Sequence, residues 1–141
     1  MGNLRTQGYL KALEEYSIQF DERLVLHIDE DADFEVEINS FFNEHKVDAI
    51  FTVNEIFAIL AMKNIQGRGL HIPKDVAIVG FSDGKLLQYA SPSITTVSQH
   101  GDEMGRTAAQ MLIKRLRSVN EQESFTTRVI TTTLIERESS R

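Results

Sequence analysis

The chain has 141 residues, of which 41% are hydrophobic, so it is long and apolar enough for one compact domain or for two parts of a larger one. Lys and Arg number 15 against 21 Asp and Glu, and the resulting net charge of −6 disfavours direct binding to nucleic-acid phosphates. The chain has no cysteine, which excludes disulfides, thiolate metal ligands and a cysteine nucleophile and suits a reducing cytoplasm. No apolar run approaches the roughly 20 residues that a membrane helix needs.

The first half of the chain alternates between helical and extended patterns of apolar residues. Asp33 is placed to cap one of the predicted helices, and a glycine, Gly67 or Gly69, ends another. In chain order the sequence predicts a helix over residues 5–16, a strand at 24–28, an acidic loop at 29–33, a helix burying Ile38, Phe41 and Phe42, a strand at 49–53, and a helix that starts at residues 54–55.

The second half continues the alternation, with a turn at residues 72–75 and a buried strand at 76–80. An extended segment at 93–97 precedes a helix over about 102–119, and a β-branched segment at 127–135 ends the fold. Strand, helix and strand between residues 49 and 80 form a βαβ unit, so we expect an α/β fold with a parallel sheet flanked by helices. The last helix carries an apolar face formed by Met104, Ala108, Met111, Leu112 and Leu116.

The histidines give no sign of catalysis or of metal binding. His27, His45, His71 and His100 show no metal-ligand spacing, and no G-x-S-x-G elbow accompanies them. The acidic loop at 29–33 lacks the ligand register of a calcium site, so a solvated loop is the expectation there. The sequence therefore predicts no cofactor, no metal and no enzymatic activity.

Polar residues follow two strands of the predicted sheet directly. Asn54 comes after the strand that ends at residue 53, while Ser82 and Asp83 come after the strand that ends at Gly80. Open α/β sheets bind ligands at the carboxyl ends of their strands, where an amide, a hydroxyl and a carboxylate suit the hydroxyl groups of a sugar. Two alternatives stay open, because Asn54 also fits as a helix cap and Asp83 as a cap of the turn that follows.

Aromatic residues and one arginine are further candidates for sugar contacts. Phe34, together with Phe57 or Phe81, is placed to stack on the apolar face of a sugar ring, although each also fits a core position. Arg5 offers a fork of donors for hydroxyl and ring oxygens, although an arginine on an exposed helix face is usually solvated.

Several segments taken together resemble the lac repressor (LacI/GalR) family of bacterial transcription regulators. They follow the family's order and cover nearly the whole chain, which makes the set more specific than any one of its members. The matching segments are residues 5–13 (RTQGYLKAL), 48–63 (DAIFTVNEIFAILAMK), 69–83 (GLHIPKDVAIVGFSD), 90–99 (ASPSITTVSQ), 105–109 (GRTAA) and 136–139 (ERES).

The resemblance implies an effector-binding domain of the periplasmic-binding-protein-like I fold, built from two lobes. Residues 1–98 would form the C-terminal lobe without its first strand, residues 99–134 would cross into the N-terminal lobe, and residues 135–141 would return. The DNA-binding headpiece and most of the N-terminal lobe are expected outside this sequence.

The resemblance also implies a set of effector contacts and a mechanism. Ser82 stands where the family usually has an aspartate, so either Asp83 substitutes for that carboxylate or the effector differs. Glu55 stands where the family usually has an aspartate as well. The implied effector-binding residues are Arg5, Phe34, Asn54, Ser82, Asp83 and Gln99.

In function, the resemblance implies a cytoplasmic regulator in which a sugar or related small molecule allosterically controls operator binding. The parent protein would bind DNA through its headpiece and would form a homodimer, for which the apolar helix at residues 56–65 is a candidate surface. One alternative is a periplasmic sugar-binding receptor of a transport system. A second is a small α/β enzyme of flavodoxin-like topology, which would depend on Asp83 or a histidine.

Overall fold

The computed structural model describes residues 2–28, 31–82, 84–117 and 125–141. From residue 34 onward helices and strands alternate along the chain, as the sequence predicts. The elements are α1 (Gly2–Glu15), α2 (Phe34–Glu44), β1 (Ala49–Thr52), α3 (Glu55–Gly67), β2 (Ala77–Gly80), α4 (Lys85–Tyr89), β3 (Thr95–Ser98), α5 (Gly101–Arg117) and β4 (Thr133–Ile135), with short 3-10 helices at Glu22–Leu24 and Glu138–Ser140.

The four strands form one mixed sheet in the order β1-β2-β3-β4. β1 pairs with β2 and β2 with β3 in parallel, whereas β4 joins β3 in the antiparallel sense. The expected α/β architecture with a mostly parallel sheet is therefore confirmed. The antiparallel β4 follows from the return of the chain after α5 to the edge that β3 leaves open.

The core lies between the sheet and the helices α3 and α4. Helical spacing brings Ala58, Ala61 and Ile65 to one face of α3, where all three are fully buried. From the sheet, Ile78 of β2 packs in the same cluster. The remaining buried members of the cluster are Val76, Leu87 and Ile94.

Two predicted strands are shorter or absent. Residues 24–28 form no strand, because Asp21 accepts hydrogen bonds from the main chain and guanidinium of Arg23 and folds the chain into a 3-10 turn. Residues 25–28 then take no part in the described sheet. Of the β-branched segment at 127–135, only Thr133–Ile135 pairs with a neighbour, since β3 offers it a partner there.

The last helix differs from its prediction in packing rather than in position. α5 spans Gly101–Arg117, and the predicted residues 118 and 119 lie outside the described part of the chain. Its apolar face buries no residue, and Leu116 is 76% exposed. The core formed by the other described elements ends at α3 and α4, so the described structure gives this face nothing to pack on.

Candidate functional site

The ends of β1 and β2 lie side by side. Thr52 pairs with Gly80 in the parallel register, and the N–H of Phe81 donates to the carbonyl oxygen of Thr52 at 2.9 Å. Asn54 and Ser82 therefore follow neighbouring strands at the same edge of the sheet, where the sequence predicts them. Asp83, the third candidate at this edge, lies outside the described residues.

Two threonine hydroxyls fix these strand ends. Thr96, fully buried on β3, donates to the carbonyl oxygen of Gly80 at 3.0 Å, contacts the carbonyl oxygen of Ser82 and accepts from the Ser82 N–H at 3.2 Å. Thr52 donates to the carbonyl oxygen of Asn54 at 3.2 Å. The sequence interpretation did not select either threonine, although a polar residue in an otherwise buried strand is the signal that marks such an anchor.

Asn54 caps α3, which was one of its two predicted roles. Its Oδ1 accepts from the Phe57 N–H at 2.8 Å, so one of the unpaired donors at the start of α3 is satisfied. The two N–H donors of Nδ2 are not used by this cap. Capping and ligand binding are consequently compatible in the same side chain.

Arg5 and Phe81 form a cation–π pair at the same edge of the sheet. The Arg5 guanidinium lies over the Phe81 ring, 4.3 Å from its centroid, and Phe51 meets the same ring edge-on at 6.4 Å. Phe81 directly precedes Ser82, so α1 delivers a cation beside the strand ends. A guanidinium whose face lies on an aromatic ring still presents its N–H donors at its edges.

The remaining candidates occupy the borders of this region. Phe34, at the start of α2, stacks on Phe57 of α3 with centroids 4.6 Å apart and an interplanar angle of 18°. Each of these two rings thus covers one face of the other. Gln99 is half-buried and follows β3 directly, at the same edge of the sheet as Asn54 and Ser82.

The histidines occupy ordinary positions. His71 contacts the carboxylate of Asp75, whose pKa is held below its usual value by the His71 main-chain N–H and then by the imidazole. His100 contacts the Thr133 hydroxyl at 2.8 Å, where β3 leads into α5 and β4 begins. Across the described ranges, no three histidine or acidic side chains group closely enough to hold a metal.

A cavity of about 310 Å³ lies at the other end of β1, near residues 42–47. Arg68 lines it, but the guanidinium is already engaged by the side chains of Asn64 and Asn43 and the main chain of Asn39. These hydrogen bonds hold the end of α3 against α2, so the Arg68 guanidinium serves the packing of the two helices. None of the helices in the described ranges has the length and apolar character to span a membrane.

A mostly parallel sheet with polar side chains at its carboxyl edge is the arrangement in which open α/β domains bind their ligands. A family model described as a periplasmic binding protein-like domain matches residues 1–140, and the chain belongs to that family. Within it, the curated relatives and the structural neighbours group the chain with the LacI-family transcriptional regulators.

Two curated relatives have the same sequence identity to this chain. The HTH-type transcriptional regulator MalR of Clostridium butyricum is 33% identical over 137 residues, which cover 96% of this chain and 40% of MalR. The ribose operon repressor of Haemophilus influenzae is 33% identical over 139 residues, covering 96% of this chain and 41% of the repressor. The chain thus spans about two fifths of the length of these relatives.

Two solved structures of transcriptional regulators share the fold of this chain. A LacI-family regulator from Sanguibacter keddieii superposes with a TM-score of 0.85 at 29% identity, over 97% of this chain and 52% of that one. The transcriptional regulator CelR in complex with cellobiose superposes with a TM-score of 0.81 at 29% identity, over 96% of this chain and 42% of that one.

Proposed function

We propose that this chain is the effector-sensing part of a LacI-type DNA-binding regulator, and that a sugar or related polyhydroxylated molecule binds at the carboxyl edge of its sheet. The observation that carries the proposal is the main-chain hydrogen bond from Phe81 to Thr52. It brings Asn54 and Ser82 to one edge of the sheet, beside Arg5. The CelR–cellobiose complex, which has the same fold, supports a sugar as the ligand class.

Each side chain has a role that its chemistry supports. Arg5 donates to hydroxyl oxygens from the edge of its guanidinium, and Asn54 donates through Nδ2 while its Oδ1 stays on the helix cap. Ser82 contributes a neutral hydroxyl as donor and acceptor. Asp83, Gln99 and an aromatic face from Phe34 complete the proposed set.

The site is completed by a second lobe in this proposal. Residues 1–98 belong to the C-terminal lobe, residues 99–134 to the N-terminal lobe, and residues 135–141 return to the first. The exposed apolar face of α5 supports this division, because a face with Leu112 at 59% and Leu116 at 76% exposure is suited to a core that other residues supply. The tail supports it too, since Ser139 is fully buried against β2 and β3.

The remaining properties follow from the same proposal. Effector binding between the lobes changes their relative arrangement, which controls operator binding by a headpiece in the parent protein. The protein acts in the cytoplasm as a homodimer and is not an enzyme. A regulator is favoured over a transport receptor because the relatives described above are transcription regulators.

Thermal-shift measurements on the intact protein with cellobiose, ribose and lactose test the proposal. We expect at least one sugar to raise the melting temperature, since a ligand at 100 times its Kd adds about 2.7 kcal/mol of stability. Arg5→Ala should abolish that shift, while Arg106→Ala, at an exposed position on α5, should keep it. A shift that survives Arg5→Ala at full size would refute the proposed site, and the absence of any shift with these and other sugars would refute the ligand class.

A further inference from the structure

The short helix α4 has no side chain of its own to cap it. α4 runs from Lys85 to Tyr89, and its N-cap residue is Gly84. The first N–H groups of any helix lack partners within that helix, so they require an acceptor from elsewhere. The residue at the N-cap usually supplies one through a Ser, Thr, Asp or Asn side chain, which Gly84 does not have.

Glu55 supplies the missing acceptor from another helix. Its Oε1 accepts from the Leu86 N–H at 3.0 Å, across 31 residues of sequence. A Cβ atom added at Gly84 would collide with both carboxylate oxygens of Glu55, so this carboxylate fills the space that a side chain at the N-cap would take. Glu55 therefore performs for α4 the role that an N-cap side chain performs in an ordinary helix.

This hydrogen bond also connects the two chain segments that carry the candidate site residues Asn54 and Ser82. Glu55 is the first residue of α3 and directly follows Asn54, whereas Leu86 is the second residue of α4 and follows Ser82 by four positions. From the other side, Thr96 holds the main chain of Ser82. Thr96 from β3 thus holds the main chain of Ser82, and Glu55 from the start of α3 holds the start of α4.

We propose that Glu55 is a positioning residue for the effector site. By capping α4 it holds the start of that helix against the start of α3, and so keeps Ser82 beside Asn54 without itself touching the effector. The inference rests on the proposed function in one respect, namely that Ser82 and Asn54 bind an effector. The mechanical part, in which Glu55 holds the start of α4 in place, stands on the hydrogen bond to Leu86 and on Gly84 alone.

Amide hydrogen exchange of the intact protein, followed by NMR without any ligand, tests the mechanical part. The Leu86 N–H is the second of α4 and has no partner within the helix, so its exchange reports the bond to Glu55. We expect Glu55→Ala to speed exchange of both Leu86 and Ser82 about tenfold, the effect of losing one hydrogen bond of ordinary strength. Glu55→Gln keeps an acceptor oxygen and should stay within about threefold of the wild type.

Two further variants make the test specific. Glu103→Ala removes a glutamate from the first turn of α5 and should leave both amides unchanged. Gly84→Ser, added to Glu55→Ala, gives α4 a cap of its own and should slow Leu86 exchange again.

Three results would overturn the inference. They are unchanged Leu86 exchange in Glu55→Ala, equal exchange in Glu55→Ala and Glu55→Gln, and faster exchange of Leu86 with Ser82 unaffected, which would reduce Glu55 to a local cap. Because no sugar is present, these results are independent of the thermal-shift test of the proposed function.

Discussion

The hydroxyl of Ser139 donates to the carbonyl oxygen of Ile78 at 2.6 Å, from 61 residues further along the chain. The Oγ of Ser139 in turn accepts from the Thr95 N–H at 2.8 Å, so one fully buried hydroxyl bridges the main chains of β2 and β3. The Arg137 guanidinium reinforces the contact by donating to the carbonyl oxygen of Ile94 at 2.6 Å. The last residues of the chain therefore bind the two central strands together where their ladder begins.

Ser139→Ala should lower the free energy of unfolding by about 1–3 kcal/mol, because it leaves a buried N–H and a buried carbonyl oxygen without their partner. Chemical denaturation monitored by circular dichroism measures the change. The matched control is Ser40→Ala, which removes an exposed hydroxyl bonded to Glu44 on the surface of α2. Equal losses for the two variants would contradict a structural role for the bridge.

Substitutions at Asn54 should separate helix capping from effector binding. Asn54→Ala removes the acceptor for the Phe57 N–H and should cost about 0.5–2 kcal/mol of stability. Asn54→Asp keeps the acceptor and favours the helix dipole, so its stability should stay close to that of the wild type. Asp lacks the Nδ2 donors, and both variants should therefore weaken sugar binding measured by calorimetry. Normal affinity in Asn54→Asp would exclude the amide donors from the site.

The contribution of Glu138 to stability should depend on pH. The Ser93 main-chain N–H, followed by its hydroxyl, holds the pKa of Glu138 below the usual 4.5. A carboxylate with a lowered folded-state pKa stabilises the fold above the unfolded value and loses that effect as the pH falls through the folded value. The stability gap between the wild type and Glu138→Gln should thus be constant near neutral pH and should shrink below pH 4.5.

Denaturation curves recorded over a pH series measure this gap. Ser93→Ala, which removes one of the two donors, should narrow the gap at neutral pH. A gap that grows on acidification would contradict the sign derived above.

An exposed apolar side chain on α3 should mark the proposed dimer surface. Ile56 is 57% exposed and follows Glu55, whose carboxylate accepts from Leu86, itself 56% exposed on α4. If this face joins two copies, Ile56→Glu places like charges in the interface and should convert the dimer to a monomer in sedimentation measurements. Val36→Glu, at a position 61% exposed on α2, should leave the dimer intact. Dissociation by both variants, or by neither, would remove α3 as the contact.

The sequence predicted the elements that local patterns determine. Helical periodicity locates α3, and of the two predicted glycines it is Gly69, with a φ of 74°, that takes the left-handed turn after the C-cap residue Arg68. The positions of Asn54 and Ser82 follow from the parallel order of β1 and β2, which brings the carboxyl ends of neighbouring strands to one edge. The placement of these residues, rather than their chemistry, was the predictable part.

Contacts between distant residues were not predictable from the same patterns. The bond between Glu55 and Leu86 spans 31 residues, and the bridge from Ser139 spans 61, so no periodicity signals either. The prediction of a strand at residues 24–28 was wrong for a related reason. An apolar extended segment becomes a strand only when a neighbour supplies hydrogen bonds, and the Asp21–Arg23 turn takes the start of the segment away.

The mutual exclusion between the Glu55 carboxylate and a side chain at position 84 has an evolutionary consequence. Only with glycine at 84 can the Glu55 carboxylate take its capping position, whereas a serine or aspartate at 84 supplies the cap itself and displaces the flexible glutamate side chain. The two positions should therefore change together when homologous regulators diverge. A homologue with a small residue at 55 is expected to carry its own polar side chain at the start of α4.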